Sequence, residues 1–209
     1  MTKEKENLRI IWHGHSCFEL KSDDAQIVID PYEDVPGYPD LDLEADVVIA
    51  SHDHFDHNAF DKVKLSGKKA NYGLEIIQSF HDPESGKLRG QNKIHVITIA
   101  GYRVAHLGDL GTELSKAQAE MLAELDLLLI PVGGHFTIDA KQAADIVKSL
   151  KPKHCVPMHY REGEIDFDKL STVDSFLQQF AEDEIENLES SDFDLSKQEK
   201  TILVLRNPV

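Results

Sequence analysis

The sequence predicts an α/β protein in which two β-sheets, or one large mixed sheet, are covered by helices. Two observations lead to this fold class. Segments of β-branched or alternating apolar residues fill the first half of the chain, and apolar strands alternate with helical patterns in the second half. Strands that come first and are then joined by helices are typical of layered α/β architectures. The length of 209 residues suits one domain over residues 1–209.

The first half of the chain contains a series of predicted strands. In order, they are LRIIWH, SCFEL, QIVID, DVVIA, EIIQSF, KIHVITI and YRVAHL. Turn residues such as KSDDA separate the first of them, as expected between short strands. Residues 31–45, between QIVID and DVVIA, are rich in Pro, Gly and Asp and predict a loop.

The second half alternates predicted helices with predicted strands. Helices are predicted over 115–125, 137–150 and 167–180, and strands at DLLLIPV, KHCVP and KTILVLR. The helix over 137–150 has the clearest pattern, because its apolar residues form one stripe that ends before Pro152. The stripe consists of Ala140, Ala143, Ala144, Val147 and Leu150. The acidic segment 182–199 is weakly patterned and predicts an exposed loop or a ragged helix.

Charge restricts the classes of partner. The formal net charge is −16 and the sequence pI is near 5.0. Such a surface repels phosphate backbones and anionic lipids, whose binding depends mostly on Lys and Arg. We therefore expect a small-molecule substrate, with neither a nucleic acid nor a membrane as partner. A homo-oligomer is compatible with the sequence.

Two further features indicate a cytoplasmic protein. The N-terminus MTKEKENLR lacks the apolar core of a secretory signal, and no apolar run approaches the ~18 residues of a membrane span. The two cysteines, Cys17 and Cys155, fall in predicted strands. Together these features favour free thiols in a reducing compartment.

One short segment contains a dense group of potential metal ligands. In ASHDHFDHNAF, three histidines and two aspartates lie within six consecutive residues, directly after the apolar strand DVVIA. His52 and His54 are one residue apart, so an extended loop can aim both rings in the same direction. Asp56 and His57 follow where the chain turns. Two ligands on either side suit a pair of adjacent metal ions better than one closed tetrahedral site.

Further candidate ligands follow later strands. His81 ends EIIQSF, Asp109 follows YRVAHL, and His159 follows KHCVP. Their separation along the chain allows each to arrive on a different strand. Imidazole and carboxylate ligands without a thiolate fit Zn²⁺, Mn²⁺ or Fe.

These motifs resemble the metallo-β-lactamase superfamily. The similarity is greatest to its small single-domain metal-dependent hydrolases, which include L-ascorbate-6-phosphate lactonase and proteins of the N-acyl-phosphatidylethanolamine phospholipase D type. The matching segments cover nearly the whole chain: IIWHGHSCFEL, IVIDP, ASHDHFDH, SFHD, RGQN, VAHLGDLG, PVGGHFTID and PMHY. The resemblance implies an αββα sandwich, with two mixed β-sheets flanked by helices and a dinuclear metal site in the cleft between sheet edges.

The resemblance also implies which residues hold the metals. The first ion would be held by His52, His54 and His81, and the second by Asp56, His57 and His159. Asp109 would bridge the two ions. The expected cofactors are two divalent ions, Zn²⁺ ahead of Mn²⁺ or Fe²⁺. A hydroxide activated by both ions would attack a small ester, lactone or phosphoester. Asp56 would orient the attacking water or accept its proton.

Other residues near these motifs have two interpretations each. His106 competes with His81 as a ligand, but it lies in the body of a strand, so we expect a packed or supporting histidine there. Asp30 either accepts a hydrogen bond from a ligand histidine or simply ends a strand at an Asp-Pro turn. One of His13 and His15 faces the cleft, or both are structural.

His135 is the candidate proton donor to the leaving group. Two glycines precede it in PVGGHFTID, so its loop can approach a substrate closely. The alternative is a loop histidine without a role. Tyr160, beside His159, either hydrogen-bonds the substrate or packs.

Two other classes of function compete with hydrolysis. One is a redox or persulfide-type oxidoreductase on the same fold, although the di-iron branch of that class replaces a ligand histidine with Glu. The other is a non-catalytic scaffold that metal merely stabilises, which a complete ligand set argues against. The β-lactam and RNA activities of other relatives are not expected, because their added loops or domains are not matched in the sequence.

Overall fold

A computed structural model describes residues 5–209 of the chain. The remaining residues, 1–4, belong to the segment on which the expectation of no secretory signal rests, and they lie outside the described part. The strands, in chain order, are β1 Arg9–Gly14, β2 Cys17–Lys21, β3 Gln26–Ile29, β4 Leu43–Ala45, β5 Val47–Ile49, β6 Val63–Leu65, β7 Gly73–Phe80, β8 Gln91–Ile99, β9 Tyr102–His106, β10 Leu127–Pro131, β11 His154–Met158, β12 Ile185–Asn187, β13 Asp192–Asp194 and β14 Ile202–Val204. The α-helices are α1 Lys116–Met121, α2 Ala140–Leu150 and α3 Asp174–Leu177.

The strands form two large mixed sheets and one small sheet. The first has the order β13-β1-β2-β3-β5, the second has the order β12-β14-β11-β10-β9-β8-β7, and β4 pairs with β6. In the second sheet β9, β10 and β11 run parallel, while β8 is antiparallel to both β7 and β9. Consequently β7, β9, β10 and β11 all point the same way, and their C-terminal ends lie along one edge of the sheet.

The main core lies between the two large sheets. Alternate residues of β2 and β3, such as Phe18 and Ile29, share one apolar cluster with Val104 and Leu128 of the second sheet, and all four are fully buried. This alternation is the signature of a strand with one face on the core. The prediction of an α/β fold with two mixed sheets and covering helices is therefore confirmed.

Helix α2 packs on the second sheet through the stripe that the sequence predicts. Ala143, Ala144 and Val147 are buried in the main core cluster. The helix begins three residues later than expected because Asp139 caps it, with its side chain accepting the Gln142 backbone N–H at 2.8 Å. It ends at Lys151, whose φ of 50° is left-handed.

A loop and the small sheet cover the outer face of the first sheet. Cys17 and Val28, which alternate with the core residues of β2 and β3, pack against Tyr32, Val35 and Leu41 of the loop over 31–45. The strands β4 and β6 continue this cover and were not predicted. Three-residue strands carry too little periodicity to stand out from a loop.

The predicted helix over 167–180 is mostly wrong, since only α3 is helical there. The backbone of Ser171 is committed elsewhere: its N–H donates to the Gly133 carbonyl, and its carbonyl accepts the Arg161 N–H. These bonds tie together two loops and are incompatible with a continuous helix. The helix predicted over 115–125 is also shorter than expected, because the chain turns after Leu122. This residue follows α1 and is fully buried.

The acidic segment 182–199 is more ordered than predicted. It contributes β12 to the second sheet and β13 to the first, where Phe193 pairs with Ile10. Phe193 and Leu195 are both buried in the main core. A few apolar residues placed at sheet edges outweigh the acidic composition of the segment. Among residues 5–209, no helix has both the length and the apolar character needed to cross a membrane.

Candidate metal centre

The His/Asp-rich segment after β5 forms a tight turn at the edge where the two large sheets meet. The backbone N–H groups of His57 and Asn58 both donate to the carbonyl of His54, at 2.9 and 3.0 Å. The turn brings one potential ligand atom from each of His52, Asp56 and His57 within 4.8 Å of the others. A local backbone turn therefore brings His52, Asp56 and His57 together without any contribution from the second sheet.

The remaining ligand candidates arrive from the second sheet. His81 directly follows β7, Asp109 lies three residues beyond β9, and His159 directly follows β11. Because these strands point the same way, the three side chains emerge from one edge. His81 completes a second group of possible ligands with His52 and His54, again within 4.8 Å.

Asp109 lies at the centre of the cluster. Its Oδ2 is 3.1 Å from Nε2 of His81 and 3.2 Å from Nε2 of His159, and its Oδ1 is 3.3 Å from Nε2 of His57. His52 Nε2 lies 4.0 Å from Oδ2. Its Oδ2 thus lies between His81 and His159, and its Oδ1 lies near His57; a carboxylate with two oxygens can be shared by two cations.

Hydrogen bonds on the far side of three of the rings fix their orientation. Nδ1 of His57 is 2.9 Å from Oδ2 of Asp30, and Nδ1 of His81 is 3.1 Å from the carbonyl oxygen of Phe136. Nδ1 of His52 is 2.9 Å from the hydroxyl of Ser51. In each case Nε2 is left facing the cluster, which is the arrangement of metal-ligating histidines.

Asp30 is the anchor of this outer layer. Its carboxylate accepts the Ser51 backbone N–H at 2.6 Å and the Ser51 hydroxyl at 2.7 Å, in addition to its bond with His57. Burial alone would raise the pKa of Asp30, but the charges of His106 and His57 and the hydrogen bond from His57 hold it well below its usual range. The structure thus places Asp30 in the supporting role rather than in a simple strand-ending turn.

The buried polar atoms that make no hydrogen bond in this cluster fit a metal centre. Of the nine buried side-chain atoms in residues 5–209 that make no hydrogen bond, five face this cluster: Nε2 of His15, His52 and His57, and Oδ1 of Asp56 and Asp109. Unsatisfied buried donors and acceptors are costly, and such a convergence is unusual unless something binds between them. Imidazole and carboxylate donors without a thiolate match Zn²⁺, Mn²⁺ or Fe²⁺, so the residues fit the implied cofactors.

Burial and neighbouring charges shift the pKa values of the side chains in this cluster. Burial and the neighbouring His57 charge lower the pKa of His52 to about 3. Burial would also lower the pKa of His57, but the charge of Asp109 raises it well above its ordinary value. Burial would raise the pKa of Asp109, yet the charges of His159 and His57 keep it well below its usual range.

His15 is a member of the site that the sequence left undecided. It is fully buried, its ring lies 4.2 Å from that of His159, and its Nε2 is 3.6 Å from Oδ2 of Asp56. Its Nδ1 is 2.7 Å from the buried carboxylate of Asp166. Burial alone would lower the pKa of His15, but Asp166 raises it to about 9. Sequence reasoning missed Asp166, which stands in an acidic segment without a distinguishing motif.

His106 lies apart from the cluster of ligands. Its Nε2 is 2.9 Å from the carbonyl oxygen of Ser16, and its Nδ1 accepts the Gly108 N–H at 3.1 Å. Both ring nitrogens are therefore occupied by backbone groups. The structure brings His81, and not His106, to Asp109. His13 is likewise paired elsewhere, with Glu19 at 3.1 Å.

His135 is not brought to the cluster. The turn at Gly134 leaves the His135 side chain exposed, with its own φ at 54°, and the following residue, Phe136, lines the cavity instead. The role of His135 as proton donor stays a prediction without a supporting contact. Tyr160 is buried and packs against Trp12, with the ring centroids 5.8 Å apart, so it too lies outside the lining.

Close backbone packing positions the loops that carry the ligands. Gly108 has φ +54°, and a Cβ there would lie 2.4 Å from both Asn92 Oδ1 and Ser51 Cβ. The same Asn92 oxygen accepts the Asp109 N–H at 2.9 Å. A Cβ on Gly133 would lie 2.2 Å from the carbonyl oxygen of His159. Only glycine permits these approaches.

A cavity of about 540 Å³ opens above the cluster. Its floor includes His81, Asp109 and His159. Its walls carry three aromatic rings and one guanidinium, which belong to Phe55, Phe136, Phe167 and Arg89. A polar, metal-competent floor beneath apolar walls is the usual form of a small-molecule site.

Sequence comparison gives this combination of fold and site its class. Residues 9–159 match the family model of the beta-lactamase superfamily domain. The chain is 32% identical over 179 residues to a UPF0173 protein of Pyrococcus furiosus, covering 73% of this chain and 83% of that protein. It is 33% identical over 195 residues to a UPF0173 metal-dependent hydrolase of Thermococcus onnurineus, covering 73% and 84%.

Structural comparison agrees. A crystal structure from Thermotoga maritima, assigned to the Zn-dependent hydrolases of the metallo-beta-lactamase superfamily, superposes with a TM-score of 0.75 at 32% identity and covers 95% of this chain and 98% of its own. The protein is a metal-dependent hydrolase of the metallo-β-lactamase superfamily. Within that class, the chain belongs to the UPF0173 family.

Proposed function

We propose that this protein hydrolyses a small anionic ester, lactone or phosphoester at a centre of two divalent metal ions. The observation that carries the proposal is the convergence of His and Asp side chains around Asp109, with buried Nε2 and Oδ1 atoms that make no hydrogen bond within residues 5–209. Three overlapping groups of candidate ligands lie in this cluster: His15, His57 and His159; His52, His54 and His81; and His52, Asp56 and His57. We favour Zn²⁺, with Mn²⁺ or Fe²⁺ as alternatives, because mainly imidazole donors suit Zn²⁺.

In this proposal the ligands form two sets that share Asp109. His52, His54 and His81 would hold one ion, and Asp56, His57 and His159 would hold the other. Ions bound there would lower the pKa of a coordinated water to roughly 7 and would polarise the bond to be broken. Asp56 would orient that water or take its proton, which is supported by its buried Oδ1 that makes no hydrogen bond within residues 5–209. The leaving group would take a proton from water or from His135, whose side chain is exposed.

Charge favours a small substrate over a polymer. At a net charge of −16 the surface repels a long polyanion, and the 22 Lys and Arg residues form no dense basic run. Two divalent ions supply about four positive charges at one point. Attraction is thereby confined to the cavity, which suits one phosphate or carboxylate. The buried free thiols of Cys17 and Cys155 fit a reducing compartment such as the cytoplasm.

An activity screen tests this proposal. Protein reconstituted with Zn²⁺ or with Mn²⁺ is assayed for kcat/KM on phosphodiesters, lactones, thioesters and esters, beside structured RNA and single-stranded DNA. We expect turnover of a small substrate that EDTA abolishes. Efficient cleavage of a polynucleotide, with every small substrate inert, contradicts the proposal.

A further inference from the structure

Arg89 is the single Lys or Arg in the cavity lining among residues 5–209. Its guanidinium carbon lies 5.7 Å from the ring centroid of Phe136, and no carboxylate of the described chain pairs with it. Other arginines are used structurally: Arg103 donates to the Met121 carbonyl and Arg161 to the Leu170 carbonyl. The Arg89 side chain therefore has hydrogen-bonding capacity free for a ligand.

Hydrogen bonds hold the loop that carries Arg89 in a defined conformation. The buried carboxylate of Asp82 accepts backbone N–H groups along this loop, at 2.8–3.1 Å. These donors are Glu84, Gly86, Leu88 and Arg89 itself. A carboxylate that satisfies four amides holds the loop in one shape, so Arg89 is positioned before a ligand arrives.

Phe136 connects Arg89 to the metal centre. Its carbonyl oxygen accepts the hydrogen bond from Nδ1 of His81, while its ring lies beneath the Arg89 guanidinium. The ring also neighbours that of Phe167 at 6.2 Å, and Phe167 neighbours Phe55 at 6.5 Å. The guanidinium thus lies at one end of an apolar wall that rises from the candidate ligands.

We infer that Arg89 is a specificity-determining residue, which binds a second anionic group of the substrate apart from the bond that is hydrolysed. The substrate class is then an ester, lactone or phosphoester that joins a carboxylate or phosphate to an apolar segment. The apolar segment lies against Phe136 and Phe167, and the anionic group meets the guanidinium in a charge-assisted hydrogen bond. This inference rests on the proposed function and names the substrate features that it requires.

Binding of two aromatic acids tests the inference without turnover. In the inferred binding mode, benzoate meets the metals with its one carboxylate, and isophthalate adds a second carboxylate for Arg89. By isothermal titration calorimetry on the metal-loaded protein, isophthalate should bind roughly 10-fold more tightly than benzoate. Arg89→Gln should remove this advantage and leave benzoate binding unchanged, and Arg89→Lys should restore part of it.

Lys87→Gln is the matched control. Lys87 is exposed on the same loop and lies outside the cavity lining, so its loss removes the same charge without touching the subsite. This variant should keep the preference for isophthalate. An equal affinity of the wild type for both acids, or a preference that survives in Arg89→Gln, overturns the inference.

Turnover separates the inference from the proposed function. On any ester that is hydrolysed, Arg89→Gln should raise KM for the carboxylated substrate about 10-fold and leave its uncharged analogue unaffected. An equal loss on both substrates gives Arg89 a merely structural role and overturns the inference. If no ester, lactone or phosphoester is hydrolysed, the proposed function fails, and the calorimetric comparison still decides whether Arg89 binds anions.

Discussion

At the scale of single residues, the site depends on one carboxylate surrounded by imidazoles. Asp109 is buried within 3.3 Å of three Nε2 atoms, from His57, His81 and His159. Removing cations from such a cluster leaves buried charges that only partly compensate one another. Asp30 and the Phe136 carbonyl then decide which nitrogen of His57 and of His81 faces inward.

The distinction between His81 and His106 gives a direct prediction. His81→Ala should lose metal affinity and all activity, because its Nε2 faces Asp109. His106→Ala should keep its metal and lose activity only partly, by roughly 10–100-fold, since it acts through backbone bonds to Ser16 and Gly108. Metal content and kcat/KM are measured on both variants. The opposite pattern contradicts this assignment of roles.

The ligand candidates were predictable because the H-x-H-x-D-H string and three strand-end residues carry an explicit pattern. Asp166 and Arg89 were not. Asp166 pairs with His15 across 151 residues of sequence, and no local spacing encodes such a contact. Arg89 belongs to an ordinary turn-rich loop, and only the fold of that loop around Asp82 brings its side chain to the cavity. Long-range partners of this kind depend on tertiary packing.

At the scale of elements, close packing between strand ends sets the position of the ligands. We predict that Gly108→Ala lowers metal content and stability, because its Cβ would clash with Asn92 and Ser51. Gly67→Ala is the matched control: its φ of +75° is similarly strained, but nothing lies within 4 Å. The control should cost about 1 kcal/mol of unfolding free energy and keep its metal. Equal metal loss in both variants rules out the packing explanation.

A second element-scale prediction concerns Asp126, which precedes β10. Its carboxylate accepts hydrogen bonds from Lys5, from Lys153 and from the Arg103 backbone N–H. Burial alone would raise the pKa of Asp126, but the bonds from Lys153 and Lys5 lower it. A folded-state pKa below the unfolded value means that the contribution to stability is present above about pH 4 and is lost as the pH falls further.

We therefore expect Asp126→Asn to be less stable than the wild type by about 1–2 kcal/mol at pH 7, with the difference fading toward pH 3. The measurement is urea unfolding of both proteins across this pH range. Asp145→Asn is the control, because Asp145 pairs with Lys141 on the exposed face of α2 and should contribute little. A difference that persists unchanged at pH 3 contradicts the ion-pair explanation.

Elements with strong periodicity were predictable, and elements defined by their edges were not. The stripe on α2 and the alternation in β2 and β3 follow from burial of one face, which sequence records directly. The strands β12 and β13 are three residues long and exist because sheet edges were available to pair with them. Ser171 shows the converse case, in which contacts with two distant loops override a local helical pattern.

At the scale of the whole molecule, two sheets bring their edges together so that one turn and three strand ends share a cavity floor. On a strongly acidic surface, metal ions bound at this floor would make it the place that attracts an anionic substrate. Family membership gives metal-dependent hydrolysis, and the proposed substrate features follow from the cavity walls.

Metal stoichiometry tests the central claim most directly. Protein reconstituted with excess Zn²⁺ or Mn²⁺, and then desalted, is analysed for metal per chain beside Asp109→Ala. Because Asp109 lies within 3.3 Å of His57, His81 and His159, which belong to both proposed ligand sets, we predict close to two equivalents in the wild type and a clear loss in the variant. A reproducible single equivalent, unchanged in Asp109→Ala, would contradict a dinuclear centre built around this carboxylate.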